Sequence, residues 1–126
     1  MKAENLSIGD IVKVVGFAYS VRVKAIFKTT EGYEIFTHDG ERLKENQIQA
    51  KSLTDEVFEK NGFVTWLDEN SELCYRLPDT DIVIYKKDYC IKFGRSYLCL
   101  MYVHELQHIL RLSGIDKQIE VKLKKY

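Results

Sequence analysis

SLTDEVFEKNGF, residues 52–63, is the stretch on which the reading of the fold turns. Thr54 is a good N-cap, Asp55 and Glu56 suit the positive end of a helix, and Val57 and Phe58 give that helix an apolar side. Asn61-Gly62 supplies the left-handed position that ends it. To either side the periodicity is that of strands. The helix is therefore the joint between two β-rich halves, residues 1–50 and 51–126.

Upstream of the joint, short strands alternate with Gly-containing turns. IVKVVGF (11–17) alternates around Val12 and Val14 after the turn signal Gly9-Asp10. In VRVKAIF (21–27), Val21, Val23, Ala25 and Phe27 fall on one face and Arg22, Lys24 and Ile26 on the other, the period-two mark of a half-buried strand. Glu31-Gly32 and Asp39-Gly40 are hairpin signals around YEIFTH (33–38), and Leu43 and Ile48 anchor the segment that follows. Four or five short strands at this spacing predict a small SH3-like β-barrel unit or a strongly twisted sheet.

Downstream, FVTWLDEN (63–70), ELCYRL (72–77), DIVIYKK (81–87), YCIKFG (89–94) and SYLCLMY (96–102) read as an antiparallel meander. It runs into one amphipathic helix from about Tyr102 to Ser113, stopped by Gly114, and IEVKL (119–123) reads as an added edge strand. The fold class expected is α+β.

Composition narrows the function classes. The 126 residues are 45% hydrophobic and 12% aromatic, as in a folded globular chain. Residues 1–50 carry seven Lys/Arg and seven Asp/Glu, and residues 51–126 carry twelve of each. This balance lacks the electrostatic footprint of a protein that neutralises many phosphates, so nucleic acid is disfavoured as a partner. No apolar run approaches a membrane span and the N-terminus has no apolar signal region, so a soluble protein of the bacterial cytoplasm is expected, with no membrane partner. Cys74, Cys90 and Cys99 are odd in number and lack C-x-x-C spacing, and we read them as reduced thiols packed as small hydrophobes. Trp66 reads as a core or hinge residue, the tyrosines Tyr75, Tyr85, Tyr89, Tyr97 and Tyr102 as cross-strand packing.

One motif carries chemistry. In MYVHELQHIL (101–110), His104, Glu105 and His108 spell H-E-x-x-H, in which two imidazoles one helical turn apart share a zinc ion and the glutamate activates its water. Glu120, with Asp116 behind it, is the only carboxylate placed to be a third ligand, and His38 lies far upstream. At ~100° per residue, however, Tyr102, Val103, Leu106, Ile109, Leu110 and Ser113 make a complete apolar face, and His104, Gln107, His108 and Arg111 fall opposite. We read the histidines as a solvent-facing stripe, with no zinc and no other cofactor favoured. A zinc-dependent hydrolase with ligands His104, His108 and Glu120 and base Glu105 is the alternative.

The order IGDIVKV, NQIQAKSLTDEVFEKNGF, YVHELQHILRLSGIDKQIEV resembles a group of small uncharacterised proteins encoded by phages, prophages and mobile elements of gut Bacteroidales, over almost the whole chain. In that group the terminal helix reads like V-H-Q-L-Q-N. The resemblance implies that His104, Leu106 and Gln107 belong to a structural pattern and that the full zinc motif is particular to this sequence. It implies no activity. From that genomic company we expect a non-enzymatic accessory protein that binds a host or phage protein. A small-molecule or nucleotide-binding module is the remaining alternative, and it requires a deep pocket lined by tyrosines together with Arg or Lys.

Overall fold

The computed structural model describes residues 1–93 and 95–123 and is an α+β protein with two five-stranded antiparallel sheets. The chain divides into two compact units. One is Met1–Ser52 together with the segment that starts at Val121, and the other is Leu53–Glu120. The terminal segment expected as an edge strand of the second half instead makes a single parallel bridge, Ser20 to Leu123, in the first.

The first unit comprises β1 (Ile11–Val14), β2 (Ser20–Thr29), β3 (Gly32–Thr37), β4 (Arg42–Lys44) and β5 (Ile48–Ala50), in the order β4-β3-β2-β1-β5. Of the two expected forms the sheet is the one observed, since the barrel is not closed: β4 and β5 are the two edges, and no ladder joins them among the described residues. The sheet is nonetheless curled. Only the 3-10 turn Glu45–Gln47 separates the two edges in sequence. A link of that length reaches at most ~14 Å, whereas five flat strands set their edges ~19 Å apart.

A bulge in β2 decides which residues fill this unit's core. Val23 pairs with Thr37 and Ala25 with Phe36, so Lys24 is an extra residue and the alternation reverses after it. Val21 and Val23 face inward with Val12, Val14, Ile35, Leu43 and Ile48. Beyond the bulge it is Ile26 that packs on the core, while Phe27 stands 54% exposed and meets Phe36 edge-on. Strict alternation assigns these two residues the other way round; one extra residue moves every later side chain to the opposite face.

The second unit opens with α1 (Asp55–Lys60), followed by the meander β6 (Val64–Leu67), β7 (Leu73–Arg76), β8 (Val83–Tyr85), β9 (Cys90–Phe93) and β10 (Ser96–Cys99), and then α2 (Val103–Leu112). The sheet order β10-β9-β8-β7-β6 follows the chain. Phe58 of α1 is fully buried and stacks on Tyr75 at 4.7 Å, with Phe63 edge-on and Tyr89 tilted against it. This places α1 on the sheet face that carries the register row Tyr75, Ile84, Ile91. Thr54 holds the N-cap position without a side-chain cap bond. Asn61, at the other end, is buried: its amide donates to the carbonyls of Val57 (2.7 Å) and Glu120 (2.8 Å), and its oxygen accepts from the N–H of Glu120 (2.6 Å). One side chain thus ends α1 and ties the stretch after α2 to it. No helix among the described residues is long and apolar enough to cross a membrane.

Candidate functional site

The H-E-x-x-H letters lie on α2, as the periodicity predicts, and Gly114 follows its end at φ +73°. The side chains do not converge on a metal. Glu105 turns back along the helix, and its Oε1 accepts from the N–H of Met101 and of Tyr102, both at 2.9 Å. That is a helix-capping role, satisfying donors that the first turn leaves over. His104 is buried, its ring stacked on Tyr102 at 5.8 Å and edge-on to His108 at 5.5 Å. Glu120 and Asp116 are exposed, and Glu120 is held through its backbone by Asn61. Among the described residues, His104, His108 and Glu120 do not form a group of ligand atoms close enough to share an ion.

The solvent-facing stripe is also placed differently from the helical-wheel reading. Val103, His104, Leu106, Gln107, Ile109 and Leu110 are all buried, so the covered arc exceeds half of the circumference. The less covered strip runs along the half-buried Glu105 and His108 to Leu112, which is 84% exposed. The ring of Tyr102 covers His104 locally, which apolar periodicity alone does not reveal.

Two clusters absent from the sequence reading occupy the second unit. In the first, Asp55 Oδ1 accepts hydrogen bonds from the hydroxyls of Tyr75 (2.7 Å) and Tyr89 (3.0 Å). The Tyr75 bond lowers the Asp55 carboxyl below its usual range against a smaller cost of burial, with Tyr89 and the Lys86 ammonium adding to the lowering. Burial, then the bond to Asp55, raises both phenols. Tyr89 sits at φ +55°, a left-handed position that glycine fills at less cost. Its hydroxyl contact with Asp55 and its ring contact with Phe58 hold it there.

The second cluster is on the opposite sheet face. The ladder sets Trp66, Cys74, Tyr85, Cys90 and Cys99 in one row across all five strands. Leu100 N–H donates to Tyr89 O, which makes Cys90 and Cys99 a non-hydrogen-bonded cross-strand pair, where side chains approach most closely. The two are joined as a disulfide, so the reading of three reduced thiols is corrected; only Cys74 is free, buried, with its thiol pushed up by desolvation and then by Asp68 and Glu72. The signal was present in the sequence: a hairpin folded between YCIKF and SYLC brings residues 90 and 99 opposite each other. Trp66, read as a core or hinge residue, is 42% exposed at the end of the row.

Beside this row lies a pocket of about 400 Å³ walled by Tyr85, Tyr97 and Cys90. Asp68, Glu72 and Asp88 line it as well, against a single ammonium, Lys87, which pairs with Glu72 at 3.6 Å. Three carboxylates facing one occupied cation suit a positively charged ligand and repel a phosphate.

No protein-family model matches the chain, and no curated protein or solved structure matches it.

Proposed function

We propose that this chain is a non-catalytic module that binds another protein by taking up an extended segment along β6, one of the two edge strands of the second sheet. The observation that carries the reading is the edge itself. Val64, Trp66 and Leu67 are 49%, 42% and 57% exposed, and Leu73, paired with Leu67, is 49% exposed. β6 reads VTWL and carries none of the lysines, prolines or inward charges that ordinarily guard an edge strand. Asp68 N–H bonds Glu72 O, so the alternation of the ladder leaves the N–H groups of Thr65 and Leu67 turned to the open side. Free backbone donors flanked by exposed apolar side chains are what strand addition uses. In the setting implied by the resemblance, the partner is a host or phage protein met in the bacterial cytoplasm.

The capping role of Glu105 supports a non-catalytic reading over the zinc hydrolase. The negative pocket favours a small cation over a nucleotide, should that pocket serve a ligand of its own.

The test is affinity capture from host lysate with the wild type and with Trp66→Lys, followed by reconstitution of any captured protein in pure form. Amide hydrogen exchange of the complex is expected to slow at Thr65 and Leu67, and Trp66→Lys to abolish binding. A partner that binds the variant equally well, or leaves exchange along β6 unchanged, overturns the reading. So does the lack of any partner that the variant loses.

A further inference from the structure

Three residues gather where the disulfide borders the acidic pocket. Ligand atoms of Asp88, Cys90 and Cys99 all lie within 4.8 Å of one another, the one such group among the described residues. Two thiolates and a carboxylate at that separation match the donor set and ligand count of a zinc site with its fourth position open. Calcium and magnesium demand oxygen ligands and are not suited by two sulfurs.

Three further observations fit. Cys99 and Asp88 are exposed, so an ion reaches the group from solvent, while the buried Cys90 gives one ligand a fixed place. Asp88 is oriented by the hairpin itself, its Oδ1 accepting the N–H of Cys90 at 3.2 Å. The pocket next to it gathers Asp68 and Glu72, which lowers the energy of a cation on approach.

We propose that Asp88, Cys90 and Cys99 form a redox-gated binding site for a thiophilic divalent cation, zinc in the cell, with the disulfide as its metal-free form. A dithiol reductant opens the site: it breaks the Cys90–Cys99 bond, becomes a disulfide itself, and passes its two protons to the freed thiols. Metal binding then releases those two protons to solvent and forms two metal–sulfur bonds. Reoxidation by a disulfide oxidant takes two electrons from the thiolate pair, re-forms the Cys90–Cys99 bond and expels the cation; the oxidant's own sulfur–sulfur bond breaks, and it leaves as a dithiol with two protons taken from solvent. The site is independent of β6 and of the protein-binding reading, and it uses no residue of H-E-x-x-H.

The probe is Co²⁺, whose bonds to thiolates give a charge-transfer band in the near ultraviolet. The full chain, reduced under anaerobic conditions, is expected to take up about one cobalt with that band, and Zn²⁺ is expected to displace it. Cys99→Ser is expected to lose the band, Asp88→Asn to bind at least about tenfold more weakly, and Cys74→Ser to behave as the wild type. The oxidised chain should bind no cobalt at this site. Both key positions are exposed, and circular dichroism verifies that the variants fold. No band in the reduced wild type, a band retained by Cys99→Ser or lost in Cys74→Ser, unchanged affinity in Asp88→Asn, or equal binding by the oxidised chain each overturns the proposal.

Discussion

Asp55 shows how much one carboxylate can organise. Two phenols donate to the same oxygen, and together they bind the first turn of α1 to β7 and to the loop before β9. Because the folded-state pKa of Asp55 is lowered, its contribution is complete above the ordinary carboxylate value of about 3.9 and is lost as the pH falls through the lower folded value. Tyr75 and Tyr89 behave in the opposite sense. Their raised pKa values make a contribution that is complete below about 10 and disappears as the pH climbs through the folded values. Tyr75→Phe should therefore cost about 1 kcal/mol at neutral pH. Urea denaturation at pH 7 and again near pH 3 checks this: the difference between wild type and variant should shrink at the lower pH. An equal difference at both would assign the cost to packing around Phe58 instead.

At the scale of elements, the bulge in β2 and the cap of α2 make separable predictions. Ile26→Lys should destabilise the protein by about 1–3 kcal/mol, since it replaces a half-buried side chain packed on the core with a charged one, and Phe27→Lys by no more than about 1 kcal/mol, the worth of its edge-on contact with Phe36. Chemical denaturation ranks the two, and strict alternation predicts the reverse order. On α2, Glu105→Ala should cost about 1 kcal/mol through loss of the two N-terminal hydrogen bonds, whereas Glu105→Gln, which can still accept them, should cost less. A metal-dependent difference in melting temperature between wild type and Glu105→Ala would instead point to a ligand role.

These elements also show what the sequence discloses. The α1 joint, the meander and the extent of α2 are legible because cap, turn and periodicity signals agree locally. The bulge at Lys24 is not, because an extra residue is specified by the partner strand and leaves no mark on its own composition. The site residues follow the same rule. Glu105 carries the letter of a catalytic base, but its direction is set by the backbone donors in front of it. Cys90 and Cys99 look isolated until the hairpin register pairs them. Asp55 and its two tyrosines come from positions 20 and 34 residues apart, a separation no local pattern reports.

For the whole molecule, charge and exposed apolar surface point the same way. Nineteen basic and nineteen acidic residues leave a formal net charge of zero. Nothing in that balance draws the chain to polyanions, and a short DNA duplex at physiological salt should show no shift on titration. Binding that weakens steeply with added salt would reveal a local basic surface acting despite the balance. The strand addition proposed at β6 needs no long-range steering, so any association through that apolar edge should be nearly insensitive to ionic strength.

Trp66 is the single tryptophan of the chain. Its partial exposure on β6 makes the indole an intrinsic optical reporter of that edge alone. Free in solution, the protein should fluoresce at long wavelength and be quenched readily by iodide or acrylamide. A strand seated alongside would shift the emission to the blue and shield it from both quenchers, so a dissociation constant could be read from the unlabelled protein.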